Sequence, residues 1–229
     1  MIASLLTVVS RYNPSPSLSE LVTGIRLAQM WNVPRLFHYS LDHFKRQFST
    51  KAIHPMIVLA VARENGIPSL IKPAVEALAE SRISLYSWCS DNTILQYTRV
   101  EEVSAIARLK ERLYLARLSI LDIPPAIHGK GCVNAVGCRV CWERYWGVEV
   151  AKRVRKLVDG AISNELWLIR SDILKAEVPG MGRSCLTATV DKVGTHHCWY
   201  VDRGIIEGAV ECLLVDERIP DWCGTGSDD

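Results

Sequence analysis

Apolar residues recur at intervals of three and four along most of the chain, which predicts amphipathic helices. Ser17-x-x-Glu20 has the form of a capping box, and Leu18, Leu21, Val22, Ile25 and Ala28 follow it at helical spacing. Pro34 is suited to the first position of the next helix, where its missing N–H costs nothing, and Phe37, Ser40, Leu41, Phe44 and Phe48 make an inward stripe. Residues 54–64 carry Ile57, Val58, Val61 and Ala62, Gly66 supplies a stop, and Pro68 opens a helix with Ile71, Ala74, Val75 and Leu78 on one side. Shifting the chain by 34 residues lays Ala28 on Ala62, Val33 on Ile67, Pro34 on Pro68, Leu36 on Leu70 and Leu41 on Val75. This predicts two copies of one helix–turn–helix unit, with Pro34 and Pro68 at equivalent helix starts. Two copies are too few to cover each other, so a third helical element is expected to close the stack. Thr98-x-x-Glu101, with Val103, Ile106, Ala107 and Leu113 behind it, reads as its start.

The prolines of Asp122-Ile123-Pro124-Pro125 and the glycines of Gly129-Lys130-Gly131 predict a break. Beyond it the composition changes: seven of the eight cysteines and five of the seven tryptophans lie between Cys132 and Cys223. Helices are expected from about Cys138 to Leu157, Asn164 to Ala176 and Gly204 to Val215, the last with a stripe of Ile205, Ile206, Ala209, Val210 and Leu213. Leu186 to Val193 alternates in the manner of a short strand. Trp142, Tyr145 and Trp146 are expected to fill the core of this half, and Gly224 to Asp229 reads as a polar tail. The fold class is therefore mainly α: helical hairpins followed by a small Cys/Trp-rich helical module.

Over 229 residues the chain is 48% hydrophobic and 23% charged, which excludes a disordered composition and supports a sizeable core. No apolar run approaches the eighteen residues of a membrane span. The greasy opening from Met1 to Val9 has neither a basic n-region nor a small-x-small cleavage site, so it is not read as a signal peptide. Without a secretory signal, reduced thiols in an intracellular protein, of cytoplasm or nucleus, are the default. A net charge of +2 implies no global field for nucleic acid, which is not expected as a partner.

The most pointed chemistry is Cys132-x5-Cys138-x2-Cys141 with His128 four residues upstream. Three thiolates and an imidazole form a tetrahedral zinc set, so His128, Cys132, Cys138 and Cys141 are candidate ligands. The competing reading is that Cys138 and Cys141 pack as small hydrophobes beside Trp142. A redox role for the CxxC lacks the preceding strand it requires. Cys185, His196, His197 and Cys198 form a second group, but a nucleophile–histidine pair without an oxyanion loop or orienting residue is better read as a buried thiol and loop histidines. Lys152, Arg153, Arg155 and Lys156 lie towards a helix C-terminus, where cations complement the macrodipole. Gly180-Met181-Gly182-Arg183-Ser184 lacks the phosphate-loop layout, and HExxH and GxSxG are absent. Enzymatic activity is not expected.

Ala28-x5-Pro34-x-Leu36 and the helix to Phe44 resemble the closing helices of a BTB/POZ domain, and the run from about 54 to 118 resembles the helical extension that follows such domains in many mushroom-type fungal proteins. Cys132-x5-Cys138-x3-Trp142-x3-Trp146, then Pro179-Gly180-Met181, then Cys185-Leu186-Thr187-Ala188-Thr189 and a terminal helix are similar to their C-terminal region. The resemblance implies three parts: a BTB C-terminal-like remnant at 1–48, a helical extension at 49–121 and a Cys/Trp-rich module at 122–229. Met1 to Ser10 would stand for a late BTB helix, with the three-stranded sheet and most of the dimer surface expected ahead of Met1. The function this implies is a non-enzymatic protein–protein interaction module, an adaptor or regulator with protein partners. Homo-oligomerisation and cullin-ligase recruitment are family properties that depend on the absent portion. The alternative from the residues themselves is a zinc-supported nucleic-acid or chromatin binder using the cysteines and the basic run at 152–156.

Overall fold

A computed structural model describes residues 16–81, 92–122, 124, 126–158 and 163–215. Met1 to Ser10, the segment around Trp88 and Cys89, and the tail beyond Val215 lie outside the described residues. The described residues are mainly helical, with no strand among them. In order they form α1 (Leu18–Met30), α2 (Pro34–Ser49), α3 (Pro55–Glu64), α4 (Pro68–Glu80), α5 (Asn92–Tyr97) and α6 (Val100–Ser119). Then come α7 (Ala135–Tyr145), a π-helical turn (Trp146–Val150), α8 (Ala151–Val158), α9 (Ser163–Leu174), α10 (Arg183–Gly194), a 3-10 turn (His197–Trp199) and α11 (Val201–Val215).

The chain divides into two compact units. The first comprises the described residues to 78, 92–103 and 212–215; the second comprises 79–81 and 104–211.

In the first unit both halves of the capping box form at α1: the Ser17 hydroxyl accepts from the Glu20 N–H, and the Glu20 carboxylate accepts from the Ser17 N–H at 2.7 Å. Leu21, Val22, Ile25 and Ala28 are buried against α2, which turns Ser40, Leu41 and Phe44 inward. Phe37 and Phe48 are half-buried at its flanks. A side chain at Gly24 would collide with the Ser40 hydroxyl, so the small residue sets how closely the hairpin closes. The next hairpin centres on α3, buried from Met56 to Ala62 without a break, as expected of a helix covered on all sides.

The 34-residue repeat extends to single hydrogen bonds. In the first turn Trp31 N–H donates to Leu27 C=O, Asn32 to Gln29 and Val33 to Ala28. In the second, Asn65 donates to Val61, Gly66 to Arg63 and Ile67 to Ala62, each pair displaced by the same offset. Asn32 and Gly66 take the left-handed conformation that such helix ends need, with φ of 50° and 59°. Each turn then hands over to a proline at the start of the next helix. The end of α2 repeats the pattern with Lys51 at φ 60° in the left-handed position.

Two expectations are corrected here. The element that packs on the second hairpin is the short α5, against α3, and only the start of α6, up to Val103, belongs to the same unit. The capping pattern at α6 also sits one residue later. Thr98 turns its hydroxyl back to Ile94 C=O at the end of α5, and the Glu102 carboxylate accepts from the Arg99 N–H at 3.0 Å.

In the second unit the core comprises Cys138, Trp142, Trp146, Val150, Val154 and Leu157 from the long α7–α8 run, with Leu166, Ile169 and Ile173 of α9, Cys185, Val190 and Val193 of α10, and Trp199. Trp142 and Trp146 are almost wholly buried and Tyr145 half-buried, their rings in a chain that reaches Trp199. Trp142 Nε1 donates to Pro124 C=O at 2.9 Å and Trp199 Nε1 to Val193 C=O at 2.7 Å. From Cys138 to Val154 the buried positions fall every fourth residue. In a pure α-helix each such step would swing the ridge by about 40°. The π turn, closed by Ala151 N–H to Trp146 C=O, unwinds the helix mid-way and returns Val150 and Val154 to the core.

The expected strand at 186–193 is helix α10. Its Thr and Val residues favour strands locally, but its buried positions, Cys185, Thr189, Val190 and Val193, follow helical spacing. Thr189 is fully buried because its hydroxyl bridges the backbone of Ile127, accepting from the N–H at 2.8 Å and donating to the C=O at 3.1 Å.

A buried ion pair completes the unit. Arg117 of α6 donates through Nε and Nη2 to one Asp202 oxygen at 3.0 and 2.8 Å, and through Nη1 to Leu157 C=O at 3.2 Å. Asp202→Ala should lower the unfolding free energy by about 3–5 kcal/mol because it strands a buried guanidinium. The double variant Arg117→Met/Asp202→Leu should cost clearly less in the same denaturant titration. Trp142→Ala should cost about 3–5 kcal/mol, a fully buried indole being lost together with its hydrogen bond. Gly66→Ala should destabilise by about 1 kcal/mol and Lys51→Gly should stabilise by a similar amount, since only glycine holds a positive φ without penalty. Equilibrium unfolding of the two variants side by side checks both signs.

Candidate functional site

The break after α6 is a loop that carries chemistry. From His128 to Cys132 the chain makes a tight turn: Cys132 N–H donates to Gly129 C=O at 3.2 Å, and Gly131 takes φ 82°. Gly129 lies directly on the first turn of α10, where any Cβ would come within 2.8 Å of the Ser184 backbone. That approach lets the Gly129 N–H point at the Cys185 sulfur, 3.3 Å away. Cys138 follows on the first turn of α7, whose N-cap is Asn134, the side chain of which accepts from the Gly137 N–H at 2.9 Å. A second glycine-containing turn, Gly180-Met181-Gly182, precedes α10 and aims the Gly182 N–H at the Cys138 sulfur at 3.4 Å.

The outcome is one cluster, His128, Cys132, Cys138 and Cys185, whose ligand atoms all lie within 4.8 Å of one another. Cys132 Sγ is 3.9 Å from Cys138 Sγ and 3.9 Å from His128 Nδ1. Cys138 and Cys185 are buried, Cys132 is half-buried and His128 is exposed. The thiols are free, and 3.9 Å is almost twice the length of a disulfide bond, about 2.05 Å. The Gly129 N–H, aided by the neighbouring Cys132 thiol, draws the Cys185 thiol down to about 7. Donation towards Cys185 pushes the Cys132 thiol above its ordinary value.

Of the four residues that the sequence offered as a ligand set, His128, Cys132 and Cys138 come together, and Cys141 does not join them. Cys141 sits instead beside Gly180, its sulfur 2.9 Å from where a Cβ would stand. The fourth member is Cys185, which the sequence grouped with His196, His197 and Cys198. Those residues follow the far end of α10, eleven or more residues on, which is about 16 Å along a helix axis. The imidazole beside Cys185 is that of His128. Burial pushes the Cys198 thiol up to about 11, the opposite of an activated nucleophile. The His197 side chain lies outside the described residues. The signal for Cys185 was its place just after a Gly-x-Gly turn, as with Cys132, but nothing in the spacing says that the two turns meet.

Two other surfaces were candidates. A cleft of about 630 Å³ in the first unit is lined by Arg63, Gly66, Ile71, Arg99, Glu102 and Leu213 among others. Its charges serve the fold. Arg63 pairs with Glu102 at 3.3 Å, and burial raises the Glu102 carboxyl against the pull of the Arg99 N–H and the Arg63 guanidinium. In the second unit, Arg170 of α9 lies over the rings of both Trp167 and Tyr200, its Cζ 5.0 and 5.4 Å from their centroids. Its Nε donates to Gly194 C=O at 2.8 Å, which anchors the stack. In the basic run Arg153 is paired with Asp172 at 2.6 Å, while Lys152, Arg155 and Lys156 are exposed.

Compared with protein-family models, with curated proteins and with solved structures, the chain matches none. No helix among the described residues is long and apolar enough to cross a membrane.

Proposed function

We propose that this chain is a non-enzymatic protein-interaction module, an adaptor or regulator of the kind built around BTB domains, whose partner is another protein. The observation that carries this reading is the Trp167–Arg170–Tyr200 stack. Trp167 is 55% and Tyr200 49% exposed, large aromatic surfaces left to solvent although the core beside them is rich in indole. Tryptophan, tyrosine and arginine are the residue types that dominate binding energy at protein interfaces. Here the guanidinium holds both rings in place before any partner arrives, which lowers the ordering cost of association. Leu168, 53% exposed on the same helix, adds apolar surface.

A nucleic-acid role has less behind it, because the basic run loses Arg153 to an acidic neighbour and presents three cations on little more than one turn. The test uses the full chain as bait in extract from its source, quantified against Trp167→Ala/Tyr200→Ala. Both residues are about half exposed, so the loss of stability should stay near that of two exposed cation–π contacts, about 0.5–1 kcal/mol each. A specific partner should bind the double variant about 30-fold or more weakly, the equivalent of one lost hot spot. Undiminished binding by the double variant would exclude this face. Sedimentation of the purified protein distinguishes a second copy of the chain from a foreign partner.

A further inference from the structure

We propose that His128, Cys132, Cys138 and Cys185 bind one zinc ion, through the imidazole and three Sγ atoms, in a closed structural site. The donor set is right: three sulfurs and one imidazole nitrogen are a recurrent ligand set of structural zinc. The size is right as well. Zinc–sulfur bonds of about 2.3 Å place tetrahedral sulfurs about 3.8 Å apart. The Cys132–Cys138 separation is 3.9 Å, and no two ligand atoms of the cluster are more than 4.8 Å apart. The surroundings suit a metal thiolate. The N–H groups of Gly129 and Gly182 already point at the Cys185 and Cys138 sulfurs from 3.3 and 3.4 Å, the outer contacts that steady thiolate charge. A Cβ built on Gly182 lies 3.9 Å from both of these sulfurs, so the turn before α10 fits closely over the cluster. Exposed His128 provides the way in for the ion.

Counted from three neutral thiols, binding exchanges three protons, released to solvent, for one divalent cation, and leaves a single net negative charge facing those N–H donors. Four protein ligands leave no open position for a water or substrate, so the ion staples and does not catalyse. What it staples is specific to this fold: the 128–132 turn, the start of α7 and the start of α10. This inference does not depend on the interaction reading, and either can fail without the other.

The decisive comparison is between Cys185→Ser and Cys141→Ser. Full-length protein, purified under reducing conditions without chelator, should carry one zinc per chain by elemental analysis. Cys141→Ser should keep it, although Cys141 belongs to the only Cys-x-x-Cys of the chain. Cys185→Ser should lose it. Replacing zinc with cobalt in the unaltered protein should give strong tetrahedral visible bands with sulfur-to-cobalt charge transfer, a signature that does not depend on any variant folding. Three results would overturn the assignment: no zinc in the purified protein and none taken up by the reduced apoprotein; loss of zinc by Cys141→Ser; or weak octahedral cobalt bands.

Discussion

One guanidinium holds three helices of the second unit. Arg117 reaches from α6 to the Asp202 carboxylate on α11 and to the Leu157 carbonyl near the end of α8. Removing both charges from water is costly, and the pair is tolerated because three of the guanidinium's donors are used. The cost is not fully offset: the second Asp202 oxygen has no partner among the described residues. Such a pair adds little net stability over a hydrophobic substitute, but it forbids arrangements that would leave either charge buried alone. With α6, α8 and α11 fixed in this way, the Trp142–Trp146–Trp199 chain packs as one wall.

The first unit relies on a backbone rule. Each of its hairpins turns by ending one helix in a left-handed residue and starting the next on proline, so the turn is specified by φ and by a missing N–H rather than by side-chain contacts. That economy frees the side chains of the turns for cross-links. Gln29 donates from the first turn to Asn65 C=O in the second at 2.6 Å, and Arg26 meets Glu64 at 2.6 Å.

What can be seen in the sequence divides along the same line. Ser17 with Glu20, Pro34, Gly66 and Pro68 act within a few residues of themselves, so their roles are legible from local spacing alone. The helix at 183–194 is not, because Thr189 is buried for the sake of a backbone segment 62 positions away, and no local pattern records that partner. The thiol cluster is half legible for the same reason. His128, Cys132 and Cys138 lie within one turn and one helix start, whereas Cys185 arrives through the meeting of two Gly-x-Gly turns. Cys141 was drawn in by the familiar CxxC spacing; three residues along an α-helix from Cys138, it sits next to Gly180, outside the cluster. Thr98 misled in a smaller way, its hydroxyl being spent on the helix it ends.

The π turn leaves the α7–α8 run tolerant of one particular change in length. A widened turn is, in effect, one residue more than an α-helix would use, and each residue is worth about 100° of rotation. Deleting Gly147, exposed and free of contacts that a Cβ would meet, looks harmless by burial alone. It would convert the run to continuous α-helix and leave Val150, Val154 and Leu157 on the face they share with Cys138 and Trp142, because the residue removed is the extra one that the widened turn accommodates. Sequences that share this architecture can therefore be one residue shorter between Trp146 and Val150 and keep the same buried ridge.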